Sequence, residues 1–212
     1  MTIATIPTGK VEIPDIPIEE HIELPAAETA LIVVDMQNDF VKPEGNLHVP
    51  EAKSTIPAIQ RLQEKARAQQ TRIIYTQDTQ IEEDPEFDIW PQHCIQGTWG
   101  WEIIEELAPQ EDDLIAPKNR YDAFYGSWLD HFLSRILEVE HVVIVGTVAN
   151  ICVLHTAASA GLRWFDIVIP ANGISALTPF DQALTLRQVT NLYHGRVVRD
   201  VDDISFTTER GT

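Results

Sequence analysis

Cys152 is the residue of this chain most able to do chemistry, because of what stands in front of it. The segment His141-Val-Val-Ile-Val-Gly146 is a β-branched run closed by glycine; a tight turn follows, and an Ala-rich helical stretch opens near the cysteine. A thiol at a helix start meets free backbone N–H groups and the positive end of the helix dipole, which favour thiolate over thiol. A free thiol titrates near ~8.5, and each unit of lowering is about 1.4 kcal/mol of preference for the nucleophilic form. The plainer reading is a buried structural cysteine. His155, three residues on, raises a rival Cys–His dyad, against an ordinary hydrogen-bonded histidine that points away from the site.

A nucleophile needs partners, and the elements around it decide which residues can reach it. Apolar runs predict strands over 30–35, 71–76, 113–116, 141–145, 165–170 and 195–198. Helical spacing, as in Ile56, Ile59, Leu62 and Ala66, predicts helices over 51–69, 128–137, 151–162 and 181–192, with a short one near 101–107. Strands without polar alternation, separated by helices, imply a parallel sheet covered on both faces. The expected fold is α/β, a three-layer α/β/α sandwich with a mostly parallel sheet of about six strands. Ligands of such sheets bind beyond the carboxyl ends of the strands. Asp35, Asp78, Lys118 and Cys152 follow the first four strands in turn, so four chemically capable residues share one edge.

Bulk properties narrow the classes. The 212 residues suffice for one domain, predicted over 28–212 behind an extended arm at 1–27 that Pro7, Pro14, Pro17 and Pro25 punctuate. Such an arm either frays or lies across a neighbouring subunit, and a homo-oligomer is expected. The net charge of −18 argues against nucleic acid and anionic membrane as partners. No apolar stretch approaches the ~20 residues of a membrane span. The first 25 residues lack the pattern of a secretory signal. Two cysteines make no disulfide framework, so a reducing, cytoplasmic setting is expected.

Three blocks in order, Val33-Val-Asp35-Met-Gln-Asn-Asp-Phe40, Lys118 after its strand, and Gly146-Thr-Val-Ala-Asn-Ile-Cys152-Val, resemble the isochorismatase-like cysteine hydrolases, which include the nicotinamidases. The resemblance covers about residues 28–200. It implies Asp35, Lys118 and Cys152 as a catalytic triad. The aspartate would exchange protons with the thiol and the leaving group, and the lysine would favour the ionised forms of both. Alone, the aspartate reads as a turn cap and the lysine as a solvated side chain. The resemblance also implies a cis peptide at Thr147–Val148, with the backbone N–H groups of Val148 and Cys152 as an oxyanion hole.

The loop after the second strand carries the family's metal pattern with one departure. Asp78, Glu86 and His93 match the ligands with which nicotinamidases hold a divalent ion, but Gln80 stands where the pattern has its first histidine. Zn, Mn or Fe suits two carboxylates and an imidazole, and an amide oxygen is a poor substitute for imidazole. Without a metal, Asp78 and Glu86 would cap turns and His93 would pack beside Trp90. No organic cofactor is expected. Phe40, Trp90, Phe124 and Tyr125 are the candidates for stacking on a flat amide. The expected activity is hydrolysis of a small planar primary amide, nicotinamide first, through a thioester. The alternatives are a ureido or carbamoyl hydrolase using the same triad without metal, and a non-catalytic oligomeric scaffold. Vinyl-ether hydrolysis fits less well, because members with that chemistry lack the nucleophilic cysteine.

Overall fold

The apolar runs fold as strands because both of their faces find cover. The computed structural model describes residue 10 and residues 12–208. In chain order the strands are β1 (Ile22–Pro25), β2 (Thr29–Val34), β3 (Arg72–Asp78), β4 (Leu114–Lys118), β5 (His141–Thr147), β6 (Asp166–Pro170), β7 (Ile174–Ser175), β8 (Arg196–Val198) and β9 (Ile204–Thr207). The helices are α1 (Asn38–Val41), α2 (Ala52–Ala68), α3 (Leu129–His131), α4 (Leu154–Leu162) and α5 (Pro179–Leu192). The main sheet runs β4-β3-β2-β5-β6-β8, all parallel, with the two-residue β7 on the end of β5 as a seventh strand. Along β2, Leu31 and Val33 face a core shared with Ile59 and Leu62 of α2. Ala30, Ile32 and Val34 face a second core with Ala157 of α4 and Val189 of α5. The three-layer α/β/α sandwich expected from the sequence is therefore present.

Local signals set the helix ends. Lys65 and Arg67 sit in the last turn of α2, where cations complement the dipole, and Gln70 leaves at a φ of +60°. Thr178 caps α5 by accepting from the Asp181 N–H, with Pro179 at the first helical position. Two predicted helices differ in detail. Residues 128–137 form α3 followed by a π-helical turn, Phe132–Ile136, and a π-helical turn, Ala149–Val153, precedes α4.

The arm expected over 1–27 ends inside the fold; its residues 1–9 and 11 lie outside the described set. Glu19 donates its N–H to Val197 at the β8 edge (2.8 Å), and β1 pairs in parallel with β9 as a separate two-stranded sheet. Ile22 and Leu24 join the α2-side core.

Gly146 is the tightest point of the frame. It lies opposite Val34 at a φ of +114°, and a Cβ there would press on the Val34 carbonyl oxygen. Gly146→Ala is expected to lower stability by more than about 2 kcal/mol, read from urea unfolding at constant slope.

Candidate active site

The order of the main sheet places a switch point between β2 and β5, whose connections leave in opposite directions, and the crevice there is where such folds hold ligands. Asp35 leaves β2 directly after Val34, which is level with Thr76 of β3 and Gly146 of β5. Its φ of +50° is one that Asp tolerates better than most residues, and it persists where the surroundings fix it. The Asp35 N–H is shared between the Thr76 carbonyl (3.3 Å) and hydroxyl (3.2 Å), and the hydroxyl donates to Asp35 Oδ1 at 2.6 Å.

Lys118 ends β4 in register with Asp78, the last residue of β3. Its ammonium lies 2.7 Å from Asp35 Oδ2 and 3.1 Å from Asp78 Oδ1. It donates to the Arg120 carbonyl at 3.0 Å and stands 3.7 Å from Cys152 Sγ. The structure thus brings Asp35, Lys118 and Cys152 together, all buried. Burial by itself would lower the Lys118 ammonium, but Asp35 and Asp78 outweigh it and hold the group well above its ordinary value. Burial raises the Asp35 carboxyl in spite of Lys118. It would raise Asp78 as well, were that carboxyl not held down by Lys118 and His93.

Cys152 sits in the π-helical turn, three residues inside the start expected to polarise it. Burial, with Asp35 and Asp78 near, pushes its thiol well up against the pull of Lys118. Burial thus opposes the thiolate that a helix start would favour. The Thr147–Val148 peptide is cis. His155 is exposed, bonds the Ile151 carbonyl through Nδ1 (2.7 Å) and packs on Tyr121, so nothing joins it to the cysteine as a dyad.

The loop after β3 brings Asp78, Glu86 and His93 together. His93 Nδ1 contacts the Pro91 carbonyl (2.8 Å), and Nε2 faces Asp78 Oδ2 at 3.2 Å and Glu86 Oε1 at 3.9 Å. Gln80, also buried, has its amide nitrogen 3.3 Å from each Asp78 oxygen, and its Oε1 has no partner. Two carboxylates and an imidazole nitrogen are donors of the kind that suit a divalent cation, whereas Gln80 turns its amide nitrogen to Asp78. Burial and the Asp78 charge raise the Glu86 carboxyl. Burial would lower His93, but Asp78, Pro91 and Glu86 raise it.

Between these groups and Cys152 lies a cavity of about 20 Å³, room for little more than one water. Phe40, Leu47, Trp90, Tyr121, Val148 and Ile151 form its apolar walls. The indole of Trp90 donates to the Tyr121 hydroxyl (2.8 Å), and Arg120 pairs with Asp84 (3.1 Å), tying the two covering loops together. Of the residues expected to stack on substrate, Phe40 and Trp90 line the cavity and the other two do not. Phe124 is in the second core against Phe165, with Arg163 over its ring, and Tyr125 is 63% exposed. Sequence reasoning missed Gln37, whose amide accepts from the Asp78 N–H (2.7 Å) and donates to the Asp78 carbonyl (2.9 Å). It missed Arg120 as well. The one available signal was the position of Gln37 two residues past Asp35 at the same sheet edge.

A switch-point crevice with a buried acid, amine and thiol defines an enzyme of the amidohydrolase class, acting on C–N bonds. The chain belongs to the isochorismatase family: the isochorismatase domain matches residues 29–203. It is similar to the N-carbamoylsarcosine amidase of Thermoplasma acidophilum, with 34% identity, a TM-score of 0.74, and coverage of 81% of this chain and 96% of the other. The nicotinamidase of Saccharomyces cerevisiae is 30% identical over 172 residues, which is 61% of this chain and 80% of that one. The pyrazinamidase of Pyrococcus horikoshii, whose structure is a complex with zinc, has a TM-score of 0.73 at 29% identity, covering 86% of this chain and 99% of the other. Among the described residues no helix is long and apolar enough to cross a membrane.

Removing one partner of a buried ion pair strands the other charge, at about 3–5 kcal/mol. Lys118→Met strands two carboxylates and is expected to cost at least that in urea unfolding at neutral pH. The deficit should shrink in acid, as the carboxyls protonate.

Proposed function

We propose that this chain hydrolyses a small neutral primary amide, nicotinamide being the first substrate to test, through a thioester on Cys152. The observation that carries the reading is the contact of one buried ammonium, Lys118, with Asp35, Asp78 and the Cys152 sulfur. A carboxylate with a raised pKa is a stronger base, so Asp35 is suited to take the thiol proton as the substrate arrives. The thiolate forms beside the Lys118 ammonium and attacks the amide carbon. The C=O π bond breaks onto oxygen, and the backbone N–H groups of Val148 and Cys152 receive that charge. Collapse breaks the C–N bond as Asp35 returns its proton to nitrogen, and ammonia leaves. Water, giving a proton to Asp35, then adds to the thioester; the acid departs, and the proton returns to sulfur.

The cavity lining supports a neutral substrate. Its polar members, Asp78, Glu86, His93 and Cys152, include no lysine or arginine. The nearby cations are engaged, Lys118 with Asp35 and Asp78, and Arg120 with Asp84. A carboxylate-bearing ureido compound would meet acceptors where it needs donors. The second reading, a carbamoyl hydrolase without metal, draws on the similarity to N-carbamoylsarcosine amidase. Asp78, Glu86 and His93 would hold the divalent ion; when bound, it supplies a Lewis-acidic contact for a ring nitrogen. The cavity is too small for an aromatic amide as it stands, so binding requires the Trp90–Tyr121 contact to open.

Ammonia release from nicotinamide should fall on the order of 10⁴-fold in Cys152→Ala. Wild-type turnover of N-carbamoyl acids in preference to nicotinamide would favour the second reading. Elemental analysis of gently purified protein should give one divalent ion per chain and background levels in His93→Ala; no bound metal in the wild type would remove the ion from the proposal.

A further inference from the structure

Asp35 has two oxygens in unlike settings, and one residue makes them unlike. Oδ2 lies against the Lys118 ammonium at 2.7 Å and accepts no other hydrogen bond, whereas Oδ1 takes the Thr76 hydroxyl at 2.6 Å. The same hydroxyl oxygen accepts from the Asp35 N–H at 3.2 Å, so Thr76 grips the amide and the carboxylate of one residue at once. Neither Thr76 nor Asp35 has any exposed surface. β3 holds Thr76 level with Val34, one residue before Asp35. A β-branched residue has few χ1 rotamers, and both hydrogen bonds confine this one further.

We propose that Thr76 is a positioning residue for the reaction: its hydroxyl fixes the rotation of the Asp35 carboxylate, committing Oδ1 to Thr76 and leaving Oδ2 to exchange the proton of Cys152. This rests on the amidohydrolase reading above, with Asp35 as the base. Thr76 does not line the cavity, and both hydrogen bonds of its hydroxyl go to Asp35, so it acts through Asp35. An unheld carboxylate rotates toward the ammonium with both oxygens and presents the base in the wrong place. Misplacement of a reacting group by about 1 Å can cost on the order of 10²-fold in rate.

The test compares wild type, Thr76→Val, Thr76→Ala and Thr76→Ser, with urea unfolding confirming that each is folded. Thr76→Val keeps the shape and removes the hydroxyl; Thr76→Ala serves if the valine variant does not fold. Two readouts are taken, steady-state hydrolysis of nicotinamide and the rate of Cys152 alkylation by iodoacetamide, with Cys152→Ala as the blank for Cys94. Loss of the hydroxyl should lower kcat by about 10- to 100-fold with KM within about twofold, and slow alkylation in parallel. Thr76→Ser should restore both. A hydroxyl-free variant that alkylates at the wild-type rate, or a serine variant as impaired as valine, overturns the proposal. Should wild type leave nicotinamide intact while alkylation still follows the hydroxyl, the substrate reading falls and the positioning role stands.

Discussion

A single ammonium organises this site. The Lys118 side chain is wholly buried, yet its ammonium is held well above its ordinary value because two carboxylates lie against it, and a backbone carbonyl accepts from it as well. Each of those carboxylates is tolerable in the interior only because the lysine is there. The constraint runs both ways, so neither Asp35 nor Asp78 can be changed alone. Burial also pushes the Cys152 thiol up, away from the thiolate that would put a third anion around one cation. In the reaction proposed above its proton passes to Asp35, so the net charge of the cluster stays constant.

The fold supplies this cluster through register rather than through loops. Asp78 and Lys118 are paired positions of neighbouring strands, and Asp35 follows directly on a residue level with Thr76 and Gly146. Positions set by a hydrogen-bonded ladder are held more closely than positions on a connecting segment. Gln37 extends the same rigidity outward by bonding both sides of the Asp78 peptide and the Trp101 carbonyl. The loop after β3 is thus tied to the β2 side as well as to its own strand. The covering loops, by contrast, meet through an indole–hydroxyl bond and the partly exposed ion pairs of Arg120 with Asp84 and Glu86.

What the sequence revealed follows from which signals are local. The order of apolar runs was enough for the layers and for the edge shared by Asp35, Asp78, Lys118 and Cys152, because strand ends are marked by where hydrophobicity stops. Thr76 gave no such signal: in a strand, a threonine reads as β-branched filler, and its hydroxyl matters only through a partner on the next strand. Phe124 and Tyr125 were misassigned because a turn decides which aromatic faces inward. Tyr121, at the start of that turn, reaches Trp90, whereas Phe124 is drawn to Phe165. The opposing effect of burial on Cys152 was not legible, because a helix terminus can be read from sequence and the depth of burial cannot. β7 has two residues, too few to leave a pattern, and β1 and β9 are legible only as a pair.

That pair has a mechanical consequence. β1 and β9 run parallel, from Ile22 beside Ile204 to Pro25 beside Thr207. Tension applied through the segment before Ile22 and the segment after Thr207 pulls along the strands in opposite senses. All the rungs of the ladder then share the load in shear, and none can open in sequence as in a zipper. Ile22 and Leu24, seated against the α2 side, must slide out of the core at the same moment. A domain pulled through these two segments therefore resists in shear along β1 and β9, and through the Glu19 bond to Val197 at the β8 edge.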